Sequence, residues 1–427
     1  MAYQGGVAAA TGSLPHQARE VFDIRMENQS PGMPRSEFVA LVAVTISLVA
    51  LAIDSMLPAI GQIASDLGVR DPNDRQLVIT MLFLGLAAAQ MIYGPLSDSL
   101  GRKAPMYAGF GIFLLGSLVS IFAVNFTMML VGRLLQGIGA AGPRILAVAM
   151  VRDLYQGNAM ASIMSMAMAV FILVPIIAPA LGQLILLFAP WQAIFVLLLV
   201  LGAAALAWHV QRQHETLPPE RRLPFSATRI WQAIAETCRN RIALGYTIVA
   251  GFIFGAFVGY LTSSQQIFQE IYGVGRLFAV YFGALAVAIG IAAITNSKLV
   301  MKYGMRRMCR WALGIGCGLS IAFWLYVAAV DSQPPLHLLM AYLLPVFFAF
   351  GVLFGNFNAL AMEPLGHIAG VAAAVVGSFT TFISLAIGTL IGQAYDGSVM
   401  PLVSGFAGLS ALSLLLMGWV ERGRKPA

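Results

Sequence analysis

Apolar residues occur along most of this chain in long runs, separated by short segments that carry charges, glycine or proline. Each run contains about 20 residues, enough for a helix to cross roughly 30 Å of hydrocarbon. Twelve membrane-spanning helices are therefore predicted, near residues 38–59, 76–96, 105–124, 127–150, 160–188, 192–209, 242–263, 276–297, 309–330, 337–361, 369–394 and 401–419.

One polar interruption is longer than the others and divides the twelve runs six and six. It covers residues 210–241 and contains six arginines together with Pro218, Pro219 and Pro224. Such a segment is typical of a linker between two folded units. The pattern predicts an all-α membrane protein with twelve transmembrane helices in two six-helix bundles. The predicted units are a cytoplasmic tail at 1–36, bundles at 37–209 and 242–420, a linker at 210–241 and a second tail at 421–427.

The composition excludes a water-soluble protein. Hydrophobic residues make up 59% of the chain and charged residues only 10%, with a mean hydropathy of +0.84, which leaves too little polar surface to cover a soluble globule. Residues 1–36 contain charges but no apolar core of the kind found in signal peptides, so we expect no cleavable leader.

The net charge of +7 would suggest a nucleic-acid partner in a soluble domain. In membrane proteins, however, Lys and Arg accumulate in cytoplasmic loops. Twenty of these residues fall on one side of the predicted helices, and only Arg70, Arg75 and Arg276 fall on the other. The asymmetry predicts that both termini are cytoplasmic, and it explains the basic charge without nucleic acid.

Several other function classes lack their sequence elements here. Cys238, Cys309 and Cys317 have no metal-ligand spacing, and the chain has no GxxxxGK[ST] phosphate-binding loop. No histidine is arranged with a nucleophile and a carboxylate for hydrolysis. We therefore predict no enzyme chemistry, no metal and no cofactor other than a coupling ion.

The two halves contain related loops after their second predicted helices. Residues 94–103 read GPLSDSLGRK, and residues 298–307 read KLVMKYGMRR, with Met301 where the first copy has Asp98. An internal parallel repeat is typical of carriers whose two bundles move about a central site.

Three segments resemble motifs of the major facilitator superfamily. Residues 94–103 resemble its signature loop, residues 130–141 (LVGRLLQGIGAA) the fourth-helix motif of its drug/proton antiporters, and residues 175–182 (PIIAPALG) their fifth-helix antiporter motif. The family motif usually ends in two glycines, whereas Gln183 follows Gly182 here. This departure leaves the direction of transport open.

Three further segments are similar to the bicyclomycin and chloramphenicol resistance type of carrier within that superfamily. They are residues 53–60 (IDSMLPAI), 152–155 (RDLY) and 362–365 (MEPL). The resemblance covers nearly the whole chain after residue 36.

Charges within the predicted helices need a partner or a purpose, because a charge in hydrocarbon costs at least ~2.5 kcal/mol. Asp54 and Arg133 lie at similar depths in the first and fourth helices, so we expect them to pair. The functional hypothesis is that Asp54 binds the coupling proton, with Arg133 tuning its proton affinity. The resemblance implies the same role for the first-helix acid. The alternative is a static ion pair that fixes helix packing.

The loop residues Asp98, Gly101, Arg102 and Lys103 are candidates for an ion-pair gate, as the resemblance also implies. Topology alone would explain the two basic residues but not Asp98. Arg144 and Asp153 are two further gating candidates. Arg144 is expected either to snorkel or to pair with Asp98 or Asp153 at the cytoplasmic face.

Two more sets of residues complete the candidates. The antiporter-motif residues are expected to kink the fifth helix and to allow close backbone approach, with packing alone as the alternative; they are Pro175, Pro179 and Gly182. Polar points of a mostly apolar substrate cavity are predicted at Gln90, Tyr260, Gln265, Tyr281, Asn356 and Asn358.

The leading hypothesis is export of amphipathic, drug-like molecules in exchange for protons by alternating access, by a monomer in lipid of the bacterial inner membrane. Two alternatives remain open at this point. One is proton-coupled transport of a single metabolite, and the other is a membrane receptor that moves no solute.

Overall fold

Twelve long helices make up most of the fold. The computed structural model describes residues 29–30, 33–330 and 333–422, so the predicted tails lie mostly outside the described residues. The helices are α1 (Arg35–Asp54), α2 (Leu77–Leu100), α3 (Lys103–Ile121), α4 (Phe126–Leu154), α5 (Gly157–Ile185), α6 (Gln192–Arg212), α7 (Arg241–Gln265), α8 (Phe278–Tyr303), α9 (Met305–Val330), α10 (Leu336–Met362), α11 (Ala369–Gln393) and α12 (Met400–Glu421).

Eleven helical stretches of the described chain are long and apolar enough to cross a membrane. One of them, Leu336–Gln393, consists of α10 and α11 joined by the 3-10 turn Glu363–Ile368. The prediction of an all-α membrane protein with twelve long helices is confirmed.

The apolar pattern misses several shorter elements. The polar segment between α6 and α7 contains a helix at Ala227–Arg239, which we call the linker helix. Its apolar residues occupy only part of its circumference, so they form no continuous run. Beyond α1, a 3-10 turn (Leu57–Ala59) leads into a short helix (Ile60–Asp66), and α7 continues as a π-helix (Gln266–Ile271). A two-residue strand pair, β1 (Gln29–Ser30) with β2 (Met33–Pro34), precedes α1.

The packing of the helices repeats after six helices. In the first half, α4 packs against α2 and α3, and α1 packs against α5 and α6. In the second half, α10 packs against α8 and α9, and α7 packs against α11 and α12. The two bundles meet along two lines, α2 with α11 and α5 with α8. This arrangement is a parallel repeat around a central interface.

Small residues allow the first bundle to pack with its backbones in contact. A Cβ atom added to Gly137 on α4 would lie 2.0 Å from the carbonyl oxygen of Leu82 on α2. A Cβ on Gly85 would lie 2.3 Å from the oxygen of Leu134. Close approach of this kind is a main source of helix association where no hydrophobic effect acts between helices.

Two glycines end equivalent helices of the repeat. Gly101 follows α2 with φ of 93°, and Gly304 follows α8 with φ of 78°. Residues with a Cβ rarely adopt this left-handed region. The glycines therefore allow the sharp turns from α2 into α3 and from α8 into α9.

We expect Gly137→Ala to lower the free energy of unfolding by about 1–3 kcal/mol, since the new methyl group must push α4 away from α2. Thermal unfolding of the purified protein would measure the change. Gly111→Ala on α3 is the matched control, because a Cβ there meets nothing within 4 Å and alanine favours a helix by up to about 1 kcal/mol. Equal stabilities of the two variants would contradict the close packing.

Candidate functional site

The helix ends define two sides of the molecule. The linker end contains Gly101, Gly304, residues 213–240 and the turn Glu363–Ile368, and the opposite side is called the far end. The charge asymmetry predicts that the linker end is cytoplasmic.

Asp54 is the last residue of α1 and is only 4% exposed. No ion pair or hydrogen bond connects its carboxyl group to another described residue. A carboxyl group buried without a partner is costly when it is charged, and a bound proton removes that cost. The position is therefore chemically suited to binding and releasing a proton.

Arg133 is fully buried on α4, but the predicted ion pair with Asp54 is absent from this structure. Its Nε donates to the carbonyl oxygen of Val78 (3.0 Å), Nη2 to that of Ala52 (3.0 Å) and Nη1 to Oε1 of Gln136 (2.7 Å). Neutral acceptors on three helices thus satisfy the guanidinium. One of them, Ala52, lies two residues before Asp54, so Arg133 still holds α1 beside the acid.

The antiporter-motif residue Gly182 contacts the same part of α1. A Cβ atom on Gly182 would lie 1.8 Å from the carbonyl oxygen of Ser55, the residue after Asp54. Pro175 and Pro179 lie within α5, which stays one continuous helix through both. The motif therefore brings the backbone of α5 directly against the end of α1.

The gate candidates form a charge cluster at the linker end. The side chain of Arg102 is only 5% exposed. Its Nε donates to Asp153 Oδ2 (2.8 Å), and its Nη1 donates to Asp98 Oδ1 (2.6 Å) and to Ser97 Oγ (2.7 Å). Lys103 takes no part in these ion pairs and instead lies over the ring of Tyr107, 5.6 Å from its centre. The cluster joins the α2–α3 turn to the end of α4 within one bundle.

Glu215 at the start of the linker is a member of this cluster that sequence reasoning missed. Its carboxylate accepts hydrogen bonds from the backbone N–H groups of Arg102 (2.8 Å), Lys103 (3.2 Å) and Leu217 (3.0 Å). Burial acts to raise the pKa of Glu215, but these bonds and the charge of Arg222 together hold it below its ordinary value. The charged carboxylate thus caps the start of α3.

The second bundle contains a similar cluster. Arg306, at the start of α9, pairs with Glu363 beside the end of α10 and with Glu421 at the end of α12 (Nε to Oε1, 3.1 Å). The hydroxyl group of Tyr246 also donates to Glu421. The position of Glu363 before Pro364 suggests a helix N-terminus, but its tertiary partner is Arg306, which aligns with Lys103 in the repeated loops and forms ion pairs as Arg102 does in the first bundle. The repeated loop sequences were the only signal for this pairing.

Arg144 pairs with neither Asp98 nor Asp153. Both acids bind Arg102, and Asp153 lies nine residues further along α4, about 13.5 Å along the helix axis. Its side chain is exposed, as are Val148 and Arg152 further along α4. No described residue forms an ion pair with Arg144, so of the two alternatives for this residue the pairing is absent from this structure.

The far end is closed by polar contacts between the bundles. The guanidinium of Arg75 binds Glu270 through Nη1 (2.5 Å) and Nη2 (2.9 Å). Beside it, Asn73 Nδ2 donates to the carbonyl oxygens of Gln393 (3.1 Å) and Tyr395 (2.8 Å). Gln76 Nε2 donates to Oε1 of Gln266 (2.5 Å). Sequence reasoning used Arg75 only as evidence of topology.

The linker end has no such seal. Within the described part of the chain, direct hydrogen bonds and ion pairs between the bundles lie at the far end, except for that from Ser378 Oγ to the carbonyl oxygen of Ala87 (2.7 Å). The polar contacts that tie the described parts of the two bundles together therefore lie at the far end, whereas at the linker end Arg152 approaches α11 without a hydrogen bond.

The predicted polar cavity residues do not form one cluster. Gln90 is buried at the α2–α11 contact beside Gly377, whereas Tyr281 lies in a groove between α8 and α10. Asn356 exchanges hydrogen bonds with Asn296 (2.9 and 3.3 Å). Of the others, Asn358 donates to the carbonyl oxygen of Phe354, Gln265 to Oε1 of Gln269, and the buried hydroxyl group of Tyr260 has no partner among the described residues.

Aromatic side chains line the second bundle near the interface, which sequence reasoning also missed. Phe254 and Phe257 lie on α7 with ring centres 5.8 Å apart, and both contact Phe354 on α10 at 5.5 Å. Phe254 reaches Phe83 of the first bundle at 6.3 Å. The i, i+3 spacing on α7 was the available signal. Across the described chain, no group of three or more His, Cys, Asp or Glu residues could hold a metal ion.

A family model described as Major Facilitator Superfamily matches residues 42–389. The chain belongs to the major facilitator superfamily. Members of this superfamily are membrane transporters of small molecules and are not enzymes. The resemblance of the sequence motifs to this superfamily is confirmed.

Curated relatives in the superfamily are similar over most of their length. An uncharacterized MFS-type transporter, YdgK of Bacillus subtilis, is 30% identical over 86% of this chain and 91% of its own. The bicyclomycin resistance protein homolog of Haemophilus influenzae is 30% identical over 88% and 94%. The multidrug resistance protein MdtL of Escherichia coli O9:H4 (strain HS) is 25% identical over 92% and 97%.

A solved superfamily structure has the same fold. The crystal structure of the human organic anion transporter MFSD10 (TETRAN) superposes with a TM-score of 0.66, covering 90% of this chain and all of that one. At 18% identity, the likeness concerns the fold alone.

We expect Arg102→Ala to lower the free energy of unfolding by about 3 kcal/mol, because it leaves two acids without their partner in a half-buried cluster. Thermal unfolding of the purified variant is the measurement. Lys103→Ala is the matched control, with a change below about 1 kcal/mol, since the ammonium group of this half-buried residue makes no ion pair with a described residue. A loss of the same size in both variants would argue against the cluster.

We expect Arg75→Gln to open the far end more often, because it removes an ion pair that joins the bundles. The readout is alkylation of Thr389→Cys, near the far end of the interface, in a background that also carries Cys238→Ser. The labelling rate should rise about twofold to fivefold, the range for a partly exposed ion pair. The double exchange Arg75→Glu with Glu270→Arg should return it to the original rate, and a persistent increase there would contradict a gating role for the pair.

Proposed function

We propose that this transporter exports amphipathic small molecules in exchange for protons by alternating access. The observation that carries the proposal is the buried carboxyl group of Asp54, which has no partner among the described residues and lies where Arg133 and Gly182 contact α1. The names of the Haemophilus and Escherichia relatives, which refer to drug resistance, support the same substrate class.

The geometry supports a proton cycle in which Asp54 responds to access from either side. With the far end sealed, the acid is removed from water on that side, and the protonated form carries no charge into a site of low polarity. Opening of the far end would let outside water reach α1, so that a proton from that side can bind. Because Arg133 and Gly182 hold α1, a shift of α4 or α5 changes the surroundings of the acid.

Alternating access requires the two bundles to move as units. The charge clusters around Arg102 and Arg306 lie within single bundles, whereas the contacts of Arg75 and Asn73 cross between them. Breaking the contacts that cross, while the internal ones remain, would open the far end. Antiport of substrate and proton, in opposite directions across the membrane, follows if only one of them occupies the central site at a time.

The membrane orientation is also part of the proposal. Twenty basic residues on the linker-end side against three on the other support a cytoplasmic linker end with both termini inside, in a bacterial cytoplasmic membrane. Exchange of substrate for an incoming proton is then export.

We expect Asp54→Asn to abolish the response of transport to a pH gradient while the protein still folds, because the amide cannot carry a proton through the cycle. The measurement is efflux of a fluorescent amphiphile from proteoliposomes with and without an imposed gradient. Glu220→Gln, which removes an exposed linker carboxylate, is the control and should respond like the wild type. A full pH response in Asp54→Asn would discard the proton-coupling role.

The same assay separates the other hypotheses. Inhibition by many unrelated amphiphiles favours a broad exporter, and inhibition by one chemical series favours a carrier of a single metabolite. A protein that acts only as a receptor would produce no flux at all.

A further inference from the structure

Three exposed side chains form a stripe on the linker-end half of α4. Arg144, Val148 and Arg152 follow one another at four-residue spacing, which places them on one face of the helix. Neighbouring positions such as Ala147 and Val151 are fully buried. The stripe is thus a distinct surface on a helix that is otherwise packed inside its bundle.

This stripe faces the other bundle. Nη2 of Arg152 lies 3.8 Å from the position that a Cβ atom on Gly370 of α11 would take. Arg144 lies ten residues before the end of α4 at Leu154, a depth of about 15 Å along the helix. The stripe therefore begins beside the other bundle at the linker end and continues along α4 to the depth of Arg144.

The two arginines have no counter-charge. Neither forms an ion pair or a hydrogen bond with any residue in the described ranges. Apart from the exposed Glu220 of the linker, the acids named next at the linker end are already engaged. Asp98 and Asp153 bind Arg102, Glu215 binds backbone N–H groups, Glu363 binds Arg306, and Glu236 binds His367. Among the described residues, the stripe thus carries positive charge that no acid pairs.

Membrane topology accounts for Arg152 but not for Arg144. The rule that basic residues accumulate on the cytoplasmic side concerns the ends of spans. An arginine well inside a span is costly unless water or an anion solvates it. While the linker end is open, water performs this role. When that end closes during transport, the water leaves, and a guanidinium without a partner would be buried.

An acidic group on the substrate would offset the free-energy cost of burying the unpaired guanidinium of Arg144. A carboxylate or sulfonate accepts two parallel hydrogen bonds from a guanidinium, an arrangement that strengthens as water is excluded. The aromatic rings of Phe254 and Phe354, close to Phe83 at the bundle interface, offer an apolar surface for the remainder of such a molecule.

We propose that the preferred substrates are amphipathic organic anions, with Arg144 binding the acidic group and Arg152 attracting it at the entrance. This inference rests on the proposed transport function and specifies its substrate class. A one-for-one exchange of an outgoing monoanion for an incoming proton moves two positive charges inward per cycle. A neutral substrate would move only one.

The test compares three ligands that share one aromatic body: radiolabelled 2-naphthoate, 2-naphthamide and 2-naphthylmethylammonium. Equilibrium binding to the purified protein, without any pH gradient, gives their affinities. We expect naphthoate to bind about tenfold or more tightly than naphthamide, and the ammonium most weakly, since charged hydrogen bonds contribute that much. Arg144→Gln should remove the preference for naphthoate and leave naphthamide binding unchanged.

Two further variants make the result specific. Arg144→Lys keeps the charge but loses the two parallel N–H donors of the guanidinium, so it should retain part of the preference for naphthoate. Arg307→Gln removes an exposed linker-end arginine outside the stripe and should change nothing. Equal binding of the three ligands by the wild type would overturn the proposal, as would a preference for naphthoate that persists in Arg144→Gln. Parallel weakening of naphthoate and naphthamide in that variant would also overturn it, by indicating a structural role.

If Arg144→Gln fails to fold, as judged by size-exclusion chromatography, the wild-type ligand series and Arg144→Lys decide the question. The result is independent of proton coupling. A preference for anions combined with a full pH response in Asp54→Asn would discard the coupling proposal only. A pH-driven efflux of naphthamide without any preference for anions would discard the proposal of anionic substrates only.

Discussion

The low polarity of the membrane interior requires each charged group in this protein to be hydrogen-bonded, paired or in contact with water. Arg133 meets the requirement through two carbonyl oxygens and an amide. Arg144 meets it by exposure. Asp54 is buried and has neither solution among the described residues. Three intramembrane charges thus have three different environments, and each environment suits a different role.

The two ends of the molecule are built differently because they must do different things in this state. At the far end, Arg75, Asn73 and Gln76 bind the opposite bundle directly. At the linker end, the charged residues bind within their own bundle or to the linker, as Asp98 does when its carbonyl oxygen accepts a hydrogen bond from the backbone N–H of Leu223. Separation of the bundles at this end therefore breaks no ion pair between their described residues.

The internal repeat is more complete in the three-dimensional structure than in the sequence. Gly101 and Gly304 end α2 and α8 with the same backbone geometry. Arg102 and Arg306 then bind acids at the ends of α4 and α10. In the second copy the highly exposed Met301 stands where the first has Asp98, and Met305 stands where the first has Arg102, so that the next residue, Arg306, forms the ion pairs. The two bundles keep the same internal support, while the first alone retains the acid of the signature loop.

The sequence by itself determined the fold class, the number of long helices and the family, because the length of an apolar run and the spacing of motif residues are local properties. It also singled out Asp54, Arg102 and Gly182, since intramembrane charges and motif glycines are visible one residue at a time. The sequence alone did not determine which partners these residues bind. Arg133 donates to carbonyl oxygens and does not pair with Asp54. Arg102 binds Asp98 and Asp153, the two acids considered for Arg144. Hydrogen-bond geometry depends on how helices distant in sequence rotate and approach one another. Only the tertiary structure could decide which charges are satisfied within a bundle, which join the bundles, and which remain exposed between them.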